Sequence, residues 1–388
     1  MPLTGRTALV IGAGVAGLAA ALALARHGAA VELLEQAPEI AEVGAGLQIS
    51  PNGARVLAAL GLTPPGDRAR AVVLNDHRGQ PVVTMRLPAE GPGFWLVHRA
   101  DLIDTLASAA RAAGVSVRLL QRLAGAEIEA QGISLALATG ARRRAPFVVG
   151  ADGLHSVLRT VLNGAAAPGF TGQVAWRATI PGDDPDPVVR VFMGPGRHLV
   201  SYPLRGGRLR NLVAVEERRC WVAEGWSQTD DPAALRAAVA GFGGPVPDWL
   251  ARVERVHLWG LFRHPVAQHW TDGQGRLAIL GDAAHPTLPF LAQGANLALE
   301  DAWELAAHLA ARPDAASALA AWEAGRRPRA RAVIAAANRN ATAYHLRPPL
   351  SGLAHLALRV GGRIAPGAAL ARFAWVHGYD ATAPVAPT

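Results

Sequence analysis

The sequence predicts an α/β fold in which a nucleotide-binding domain is interleaved with a mostly antiparallel β-sheet domain and followed by a helical C-terminus. Three observations predict this fold. A short apolar strand near the N-terminus runs into a glycine-rich turn and an alanine-rich helix, short alternating runs fill the region from about 172 to 270, and the chain beyond 325 is rich in alanine and arginine. Alternation of period two indicates strands, while apolar residues three and four apart indicate helices.

The composition is that of a globular protein large enough for two domains. The chain has 388 residues, of which 51% are hydrophobic and 18% charged, so it can bury a sizeable core. No apolar run approaches the ~20 residues that a membrane span needs, and the N-terminus lacks the pattern of a signal peptide. The single cysteine, Cys220, excludes an internal disulfide and fits a reducing compartment. We therefore expect a cytoplasmic protein.

The formal net charge of +8 does not by itself indicate a nucleic-acid partner. All 38 basic residues are arginine, and the one dense run, Arg142 to Arg144, contains no aromatic residue. We interpret that run as a solvated hairpin turn, with a phosphate-binding patch as the alternative. The absence of lysine excludes a Schiff-base lysine and a P-loop lysine. We predict no nucleic-acid partner and no metal site.

The N-terminal motif predicts a dinucleotide site. Residues Thr7 to Ile11 form an apolar strand that runs into Gly12, Gly14 and Gly17, and a helix follows. Glycines at this spacing let the backbone approach a pyrophosphate at the helix N-terminus. Glu35, at the end of the next strand, stands where a ribose hydroxyl needs an acceptor, which favours FAD or NAD over the 2′-phosphate of NADP. The alternative is a glycine-rich turn with a surface glutamate.

Other turns carry polar residues that could face a nucleotide. The glycine-rich loop from Glu42 to Asn52 contains Gln48, Arg99 begins a helix, and Asp152 lies in a turn between a strand and a helix. Arg55 is a further candidate near the same loop. For Gln48, Arg55 and Arg99, a solvated surface position is the alternative.

The stretch from Gly281 to Asp301 combines a strand end, a proline-rich loop and a helix start. Unpaired N–H groups at a helix start stabilise negative charge, so the backbone of Gly294, Ala295 and Asn296 is a candidate anion site. Asp282 offers a carboxylate acceptor to a hydroxylated ligand. Taken alone, such a stretch is more often scaffold than a binding site.

The region from about 172 to 270 predicts a mostly antiparallel sheet, and one face of this sheet must pack over another layer of the protein or over a ligand. Most of the tryptophans lie here, and we interpret them as core; they include Trp176, Trp221, Trp226, Trp249, Trp259 and Trp270. We predict a discontinuous nucleotide-binding domain of residues 1–71, 96–171 and 271–325. The β-sheet substrate domain then comprises 72–95 and 172–270, and residues 326–388 form the C-terminal helical segment.

Three strand-turn-helix motifs follow one another along the chain: the glycine motif with Glu35, then Asp152-Gly153 with Ser156 and Arg159, then Gly281-Asp282 with Pro286. In this order they resemble the fingerprint of the single-component (group A) FAD-dependent aromatic hydroxylases, over nearly the whole chain. The resemblance implies a Rossmann-like FAD-binding domain with non-covalent FAD, and NADH or NADPH as a transient electron donor. It also implies that O2 and a flavin C4a-hydroperoxide hydroxylate a small phenolic or heteroaromatic substrate, above all an aromatic acid.

The resemblance further implies roles for the residues that match the family's motifs. Asp282 would hold the ribityl chain of FAD, and the backbone of Gly294, Ala295 and Asn296 would face the pyrimidine edge of the flavin. The family's FAD-contacting arginine falls on Arg99. The Asp152 motif would be associated with both cofactors in reading NAD(P)H.

Within the family, the sequence is most similar to the branch of salicylate, 3-hydroxybenzoate and 6-hydroxynicotinate hydroxylases. The segment HLVSYPLRGG at 198–207, Ala292-Gln293-Gly294 and the terminal Trp375 to Asp380 carry this likeness. It implies that His198 and Tyr202 contact the ring hydroxyl of the substrate, and strand alternation places both on one face. We predict His198 as the base that takes the hydroxyl proton. A strand histidine with a backbone partner is the alternative.

Other polar residues of these motifs have two interpretations each. Gln293 is a candidate hydrogen-bond partner of the substrate, or it serves the backbone of its loop. His285 is the alternative base, although its position inside the flavin motif favours a structural role. A substrate carboxylate could be met by Arg177 or Arg205, and the sequence does not choose between them.

Two further functions remain compatible with the residues. In an NAD-dependent dehydrogenase only the N-terminal motif would be functional, and in a flavin-binding module without turnover the sites would bind but not react. A homodimer is left open.

Overall fold

The computed structural model describes residues 2–40, 46–182, 184–218 and 228–385. Its strands, in chain order, are β1 (Thr7–Ile11), β2 (Ala30–Leu34), β3 (Gly46–Ile49), β4 (Gly66–Arg68), β5 (Ala71–Asp76), β6 (Pro81–Arg86), β7 (Trp95–His98), β8 (Ser116–Arg118), β9 (Leu123–Glu129), β10 (Gly132–Leu137), β11 (Arg142–Ala145), β12 (Val148–Gly150), β13 (Gly169–Pro181), β14 (Val188–Gly194), β15 (Arg197–Leu204), β16 (Leu209–Glu217), β17 (Thr229–Asp230), β18 (Val256–Arg263) and β19 (Leu277–Ile279).

The α-helices, in chain order, are α1 (Val15–Arg26), α2 (Pro51–Ala59), α3 (Arg99–Ala112), α4 (Val157–Asn163), α5 (Pro232–Ala238), α6 (Val246–Ala251), α7 (Gly294–Ala311), α8 (Ala315–Tyr344), α9 (Leu350–Ile364), α10 (Ala368–Ala371) and α11 (Ala374–His377). Two short 3-10 helices, Gly281–Ala283 and Pro289–Leu291, lie before α7. Among the described residues, no helix is both long and apolar enough to cross a membrane.

A five-stranded parallel sheet gathers the predicted nucleotide motifs at one edge. Its strand order is β19-β12-β1-β2-β8, and each neighbouring pair is parallel. The strands β1, β2, β12 and β19 are followed directly by the glycine turn, by Glu35, by the Asp152 turn and by the Asp282 turn. Since the carboxyl ends of parallel strands meet at one edge, residues far apart in the sequence become neighbours there.

An eight-stranded sheet stands opposite this edge. Its order is β17-β18-β13-β16-β15-β14-β5-β6, and its neighbouring strands are antiparallel except for β14 and β5, which run parallel. Two separate stretches, 71–86 and 169–263, supply its strands. The α/β fold with an interleaved, mostly antiparallel sheet and a helical C-terminus is therefore confirmed. The exact domain boundaries stay a prediction.

The tryptophans occupy three different places. Trp176 and Trp249 pack with Phe192 on one face of the eight-stranded sheet, whereas Trp259 lies in a cluster on the opposite face. Trp270 packs against Trp322, with ring centroids 5.5 Å apart, in the core of the parallel-sheet part. The interpretation as core is thus correct for Trp176, Trp249, Trp259 and Trp270, although these four residues do not form one group. Cys220, Trp221 and Trp226 lie outside the described residues.

The interpretation of Arg142 to Arg144 as a hairpin turn was wrong. These residues begin strand β11, which pairs antiparallel with β10. Arg143 forms an ion pair with Glu32, and Arg144 lies 3.3 Å from Glu129. Consecutive arginines suit this edge strand, because their side chains point to opposite faces and reach different acidic partners while the backbone completes the sheet.

Candidate active site

The glycine turn forms the first wall of the site, and its three glycines serve different purposes. Gly12 has a φ of +101°, which favours glycine, and a side chain there would overlap the Ala151 carbonyl. A side chain on Gly17 would overlap the Gly12 carbonyl. At Gly14, the N-cap of α1, no atom of the described residues lies within 4 Å of where a Cβ would stand, and this glycine lines a cavity. The turn is closed toward the protein and open toward a ligand.

Glu35 fixes this turn from the end of β2. Its Oε2 accepts a hydrogen bond from the Ala13 N–H at 2.6 Å, and its Oε1 accepts one from the Ala37 N–H at 2.9 Å. A carboxylate has about four lone-pair sites, so the group can still accept from a ribose hydroxyl. Glu35 therefore lies where the sequence placed it and also holds the shape of the glycine turn.

The Asp152 carboxylate serves a helix. Its Oδ1 accepts from the Ser156 hydroxyl at 2.5 Å, and its Oδ2 accepts from the N–H groups of Val157 and Leu158 at 2.9 and 3.2 Å. Burial raises its pKa. The carboxylate is thus engaged at the start of α4, and a direct contact to NAD(P)H stays a prediction.

The Asp282 carboxylate faces the cavity directly after β19. The Asp282 side chain is exposed to solvent through the cavity. The partial desolvation of its carboxylate by the surrounding protein nevertheless raises its pKa, and the charges of His285 and Arg99 oppose that rise. An acceptor that solvent can reach here is available to the hydroxyl groups of a ligand. This position agrees with the predicted contact to a ribityl chain.

Helix α7 begins at the cavity without a side-chain cap. Gly294 and Ala295 line the cavity, so the unpaired N–H groups of this first turn favour negative charge there. A side chain on Gly294 would come within 2.7 Å of the Thr287 hydroxyl. The predicted anion site at the helix start is therefore open to a ligand.

Asn296 acts in a different way, because its side chain is fully buried. Its Oδ1 accepts from the Ser50 N–H at 3.0 Å, and its Nδ2 donates to the carbonyls of Gln48 and Ala292 at 3.0 and 2.8 Å. The side chain ties the start of α7 to β3 and α2. Only its backbone can serve the predicted anion site.

Gln48 and Arg99 complete the nucleotide side of the cavity. Gln48 lies in β3, Arg99 is the first residue of α3, and both line the cavity. The structure therefore brings six of the predicted cofactor residues to one cavity: Gly14, Gln48, Arg99, Asp282, Gly294 and Ala295.

The cavity has a volume of about 270 Å³ and lies between the edge of the parallel sheet and the eight-stranded sheet. Side chains from β15, β16 and β13 form its far wall: His198, Val200, Tyr202, Val213, Val215 and Arg177. Leu288 and Pro289 add apolar surface beside α7. A mostly apolar wall with a few polar groups is typical of a small-molecule site.

His198 lies on the cavity face of β15 and is 3% exposed. Its Nδ1 is 2.7 Å from Nε2 of His345, and its ring packs near Phe290 and Tyr344 at centroid distances of 5.8 and 5.3 Å. Burial, with a smaller contribution from His345, lowers the pKa of His198 well below its ordinary value. The ring is therefore neutral at neutral pH, as a base must be.

Tyr202 shares the cavity face of β15 with His198, as alternation predicted. Burial raises its pKa above the ordinary value of a tyrosine, so the hydroxyl stays protonated and can donate a hydrogen bond. A side chain on Gly46 would come 2.5 Å from the tyrosine ring. The absence of a side chain at Gly46 thus makes room for the ring.

Gln293 lies at the cavity wall, but its amide is engaged by protein groups. Its Nε2 donates to the Ser50 hydroxyl at 3.0 Å, and its Oε1 accepts from Nδ2 of Asn52 at 3.1 Å. The side chain is 3% exposed. This geometry supports the structural alternative for Gln293, and its contact to a substrate stays a prediction.

A buried group of charges, here called the ionic cluster, lies behind the Asp282 turn and consists of His285, Glu300, Asp301, Glu304 and Arg326. The guanidinium of Arg326 lies 2.7 Å from Glu300 and 2.9 Å from Asp301. Asp301 also accepts from the Gly281 N–H at 3.1 Å and is hydrogen-bonded to His285. Burial would raise the pKa of Asp301, but His285 and Arg326 outweigh it and hold that pKa at about 2. His285 is thus structural, as the sequence favoured.

The C-terminal residues Trp375 to Asp380 close onto the ionic cluster. The Tyr379 hydroxyl donates to Glu304 at 2.7 Å, and the Arg329 guanidinium lies 3.8 Å from the centre of the Tyr379 ring. Arg55 donates to the carbonyls of His377 and Tyr379 at 2.9 and 3.2 Å. Arg55 therefore holds this segment and does not face the cavity.

Sequence reasoning missed the ionic cluster, although a signal for it exists. Glu300, Asp301 and Glu304 interrupt an otherwise apolar helix, and Arg326 and Arg329 lie three residues apart on α8. Charges at buried helical positions are rare unless they are paired, so their positions indicate that partners exist. They do not say which partners, because those come from different elements.

The structure separates the two arginines proposed for a substrate carboxylate. Arg177 lines the cavity, with its guanidinium 5.0 Å from the centre of the Trp259 ring. Arg205 instead pairs with Asp101 at 2.9 and 2.5 Å, away from the cavity lining. Arg177 is therefore the one that can meet a ligand in the cavity.

The fold and the cavity define a dinucleotide-binding protein whose ligand site faces a β-sheet. A model of the FAD binding domain family matches residues 6–337. The 3-amino-4-hydroxybenzoate 2-monooxygenase of Streptomyces platensis is 37% identical over 393 residues, covering 97% of this chain and 96% of that protein. The 3-hydroxybenzoate 6-hydroxylase of Polaromonas naphthalenivorans is 35% identical, covering 76% of each.

A solved structure agrees with these relatives. HpxO of Klebsiella pneumoniae, complexed with FAD and uric acid, superposes with a TM-score of 0.80 at 26% identity, covering 94% of this chain and 96% of that one. The chain belongs to the FAD binding domain family and is a FAD-dependent aromatic monooxygenase. The predicted family, function class and cofactor are confirmed.

Proposed function

We propose that the substrate is a phenolic aromatic acid, that NAD(P)H and O2 are the co-substrates, and that His198 takes the proton of the ring hydroxyl. FAD, when bound, accepts hydride from the nicotinamide and activates O2. The open turn at Gly14, the exposed Asp282 carboxylate and the uncapped start of α7 fit FAD, since they offer backbone donors and an acceptor along one side of the cavity.

The observation that carries the substrate proposal is the position of two polar groups on the sheet wall. Arg177 on β13 and His198 on β15 both line the cavity, and one strand, β16, separates them. Neighbouring strands lie ~4.8 Å apart, and the register offsets Arg177 from His198 by two residues along the strands, so the two positions are about 12 Å apart. An aromatic ring with a carboxylate at one end and a hydroxyl at the other can engage both.

His198 and Tyr202 divide the work on the ring hydroxyl. His198 is neutral and accepts the proton, which makes the ring more nucleophilic, and this help is typically worth ~10²- to 10⁴-fold. Tyr202 stays protonated and donates a hydrogen bond to the oxygen that becomes negative. Leu288, Pro289 and Phe290 exclude water from this part of the cavity.

A cytoplasmic location and the use of NADH or NADPH as electron donor are also part of this proposal. The family assignment excludes the alternative of an NAD-dependent dehydrogenase. The assay below distinguishes a monooxygenase from a flavin-binding module without turnover.

The test uses the purified chain reconstituted with FAD. NADH and NADPH oxidation, O2 consumption and product mass are measured with 3-amino-4-hydroxybenzoate, 3-hydroxybenzoate and 6-hydroxynicotinate, and with 2-aminophenol as an analogue that lacks the carboxylate. We expect stimulated oxidation and a hydroxylated product for at least one acid, and a much weaker response to 2-aminophenol. An equal response to 2-aminophenol, or no product from any acid, would contradict the proposal.

A further inference from the structure

A chain of three polar side chains leads from the cavity to the surface. Nδ1 of His198 lies 2.7 Å from Nε2 of His345, and Nδ1 of His345 lies 3.2 Å from Oε1 of Glu217. His345 is 5% exposed, whereas the Glu217 side chain is 39% exposed. The first member lines the cavity, the second is buried, and the third meets solvent.

Glu217 determines where the protons sit in this chain. A carboxylate only accepts hydrogen bonds, so His345 carries its proton on Nδ1. A neutral imidazole has one donor and one acceptor nitrogen, and Nε2 of His345 therefore accepts from Nδ1 of His198. The remaining nitrogen of His198, Nε2, then carries a lone pair and is the one available to a ligand in the cavity.

Resting on the proposed role of His198, we propose that Glu217, His345 and His198 form a proton relay that carries the hydroxyl proton of the substrate to solvent. The substrate O–H bond breaks as Nε2–H of His198 forms, and Nδ1–H of His198 breaks as Nε2–H of His345 forms. Nδ1–H of His345 then breaks as the proton moves to Glu217, which releases it to water. The phenolate remains, and the reverse sequence returns one proton to the product and restores both imidazoles.

The surroundings of the relay favour transfer over storage. Burial lowers the pKa of both histidines, although Glu217 opposes this at His345. A histidine with a low pKa holds a proton weakly, so a second acceptor is needed to keep the substrate ionised. Among the described residues, the other charged and titratable groups near the relay are Arg197, whose charge lowers the pKa of His345, Arg347 at 3.1 Å from Glu217, and Tyr344 beside His198.

The experiment measures proton release when 3-amino-4-hydroxybenzoate binds to the FAD-loaded protein, using a pH indicator in stopped flow, together with coupled hydroxylation. We expect Glu217→Gln and His345→Ala to slow both by about 10-fold or more, within the ~10²- to 10⁴-fold that acid-base help can supply. Added imidazole should restore the His345→Ala rate, which loss of packing alone would not allow.

Glu216→Gln is the matched control, because Glu216 is the preceding residue of β16, points to the other face of the strand and lies 3.4 Å from Arg218 and 3.9 Å from Arg197. It should leave proton release unchanged. Wild-type rates in Glu217→Gln, or no rescue of His345→Ala by imidazole, would overturn the relay while the wild type still hydroxylates. Absence of product in the wild type with every acid of the panel would instead refute the proposed function.

Discussion

The two walls of the cavity present different kinds of groups to a ligand. The nucleotide wall is the edge of the parallel sheet with the start of α7, and the sheet wall is the face of the eight-stranded sheet. On the nucleotide wall, the backbone of the glycine turn and of the α7 start faces the ligand, and polar side chains such as Asp152, Asn296 and Gln293 are engaged inside the protein. On the sheet wall, the side chains of His198, Tyr202 and Arg177 face the ligand themselves. The first wall depends mainly on backbone shape, with the Asp282 carboxylate as an added acceptor, and the second depends on side-chain identity. Substitutions on the two walls should therefore fail in different ways.

The largest effect on catalysis should come from the sheet wall. His198→Ala removes the proposed base, so coupled hydroxylation should fall by ~10²- to 10⁴-fold while FAD binding and NAD(P)H oxidation continue. The ratio of product formed to NAD(P)H oxidised measures this directly. Val200→Ala, two residues along the same face, is the control and should keep most of its coupling. Coupled turnover at the wild-type level in His198→Ala would contradict the assignment.

The largest effect on stability should come from behind the nucleotide wall. Asp301→Asn removes a fully buried carboxylate that both Arg326 and His285 contact, and breaking a buried ion pair typically costs ~3–5 kcal/mol. Urea unfolding of the FAD-free protein measures the change. Asp314→Asn changes an exposed helix cap in which asparagine serves as well as aspartate, so it should leave stability nearly unchanged. Equal unfolding midpoints for the two variants would mean that the ionic cluster contributes little.

A smaller effect should distinguish binding from chemistry on the sheet wall. Arg177→Gln removes the proposed partner of the substrate carboxylate, and a hydrogen bond to a charged group is worth ~1.5–3 kcal/mol, or roughly 10- to 100-fold in affinity. We expect KM for an aromatic acid to rise by that factor with little change in KM for 2-aminophenol. A matching loss for both compounds would show that Arg177 only supports the sheet.

The smallest effect concerns the pH at which coupled turnover begins to fall. Because burial holds the pKa of His198 well below 6.5, its neutral form persists as pH falls through that value and is lost only in more acidic solution. Coupled turnover should therefore stay level from pH 8 to about 6.5 and decline below it. A decline that begins above pH 6.5 would mean that another group limits the reaction; Tyr202 and Asp282 line the cavity, and His345 lies behind His198.

The sequence predicted the nucleotide wall better than the sheet wall for a physical reason. The glycines, Glu35 and Asp282 occur at fixed distances from strand ends, and short-range geometry determines what they do. Alternation placed His198 and Tyr202 on one face, but it could not choose Arg177 over Arg205, since that depends on which strands become neighbours. The partners Asn52 of Gln293 and Glu304 of Tyr379 were also beyond reach, because they lie 241 and 75 residues away in the chain.

The ionic cluster also bears on the order in which the protein is made. The Asp282 turn is held by Asp301, Asp301 by Arg326, and the cluster is closed by Tyr379. A ribosome synthesises the N-terminal residues first. The glycine turn therefore emerges long before Tyr379, the residue that completes the support of the Asp282 turn. A nascent chain that still lacks its last residues would therefore contain a complete glycine turn but an Asp282 turn without its full support. We expect stable FAD retention only after Tyr379 has joined the fold.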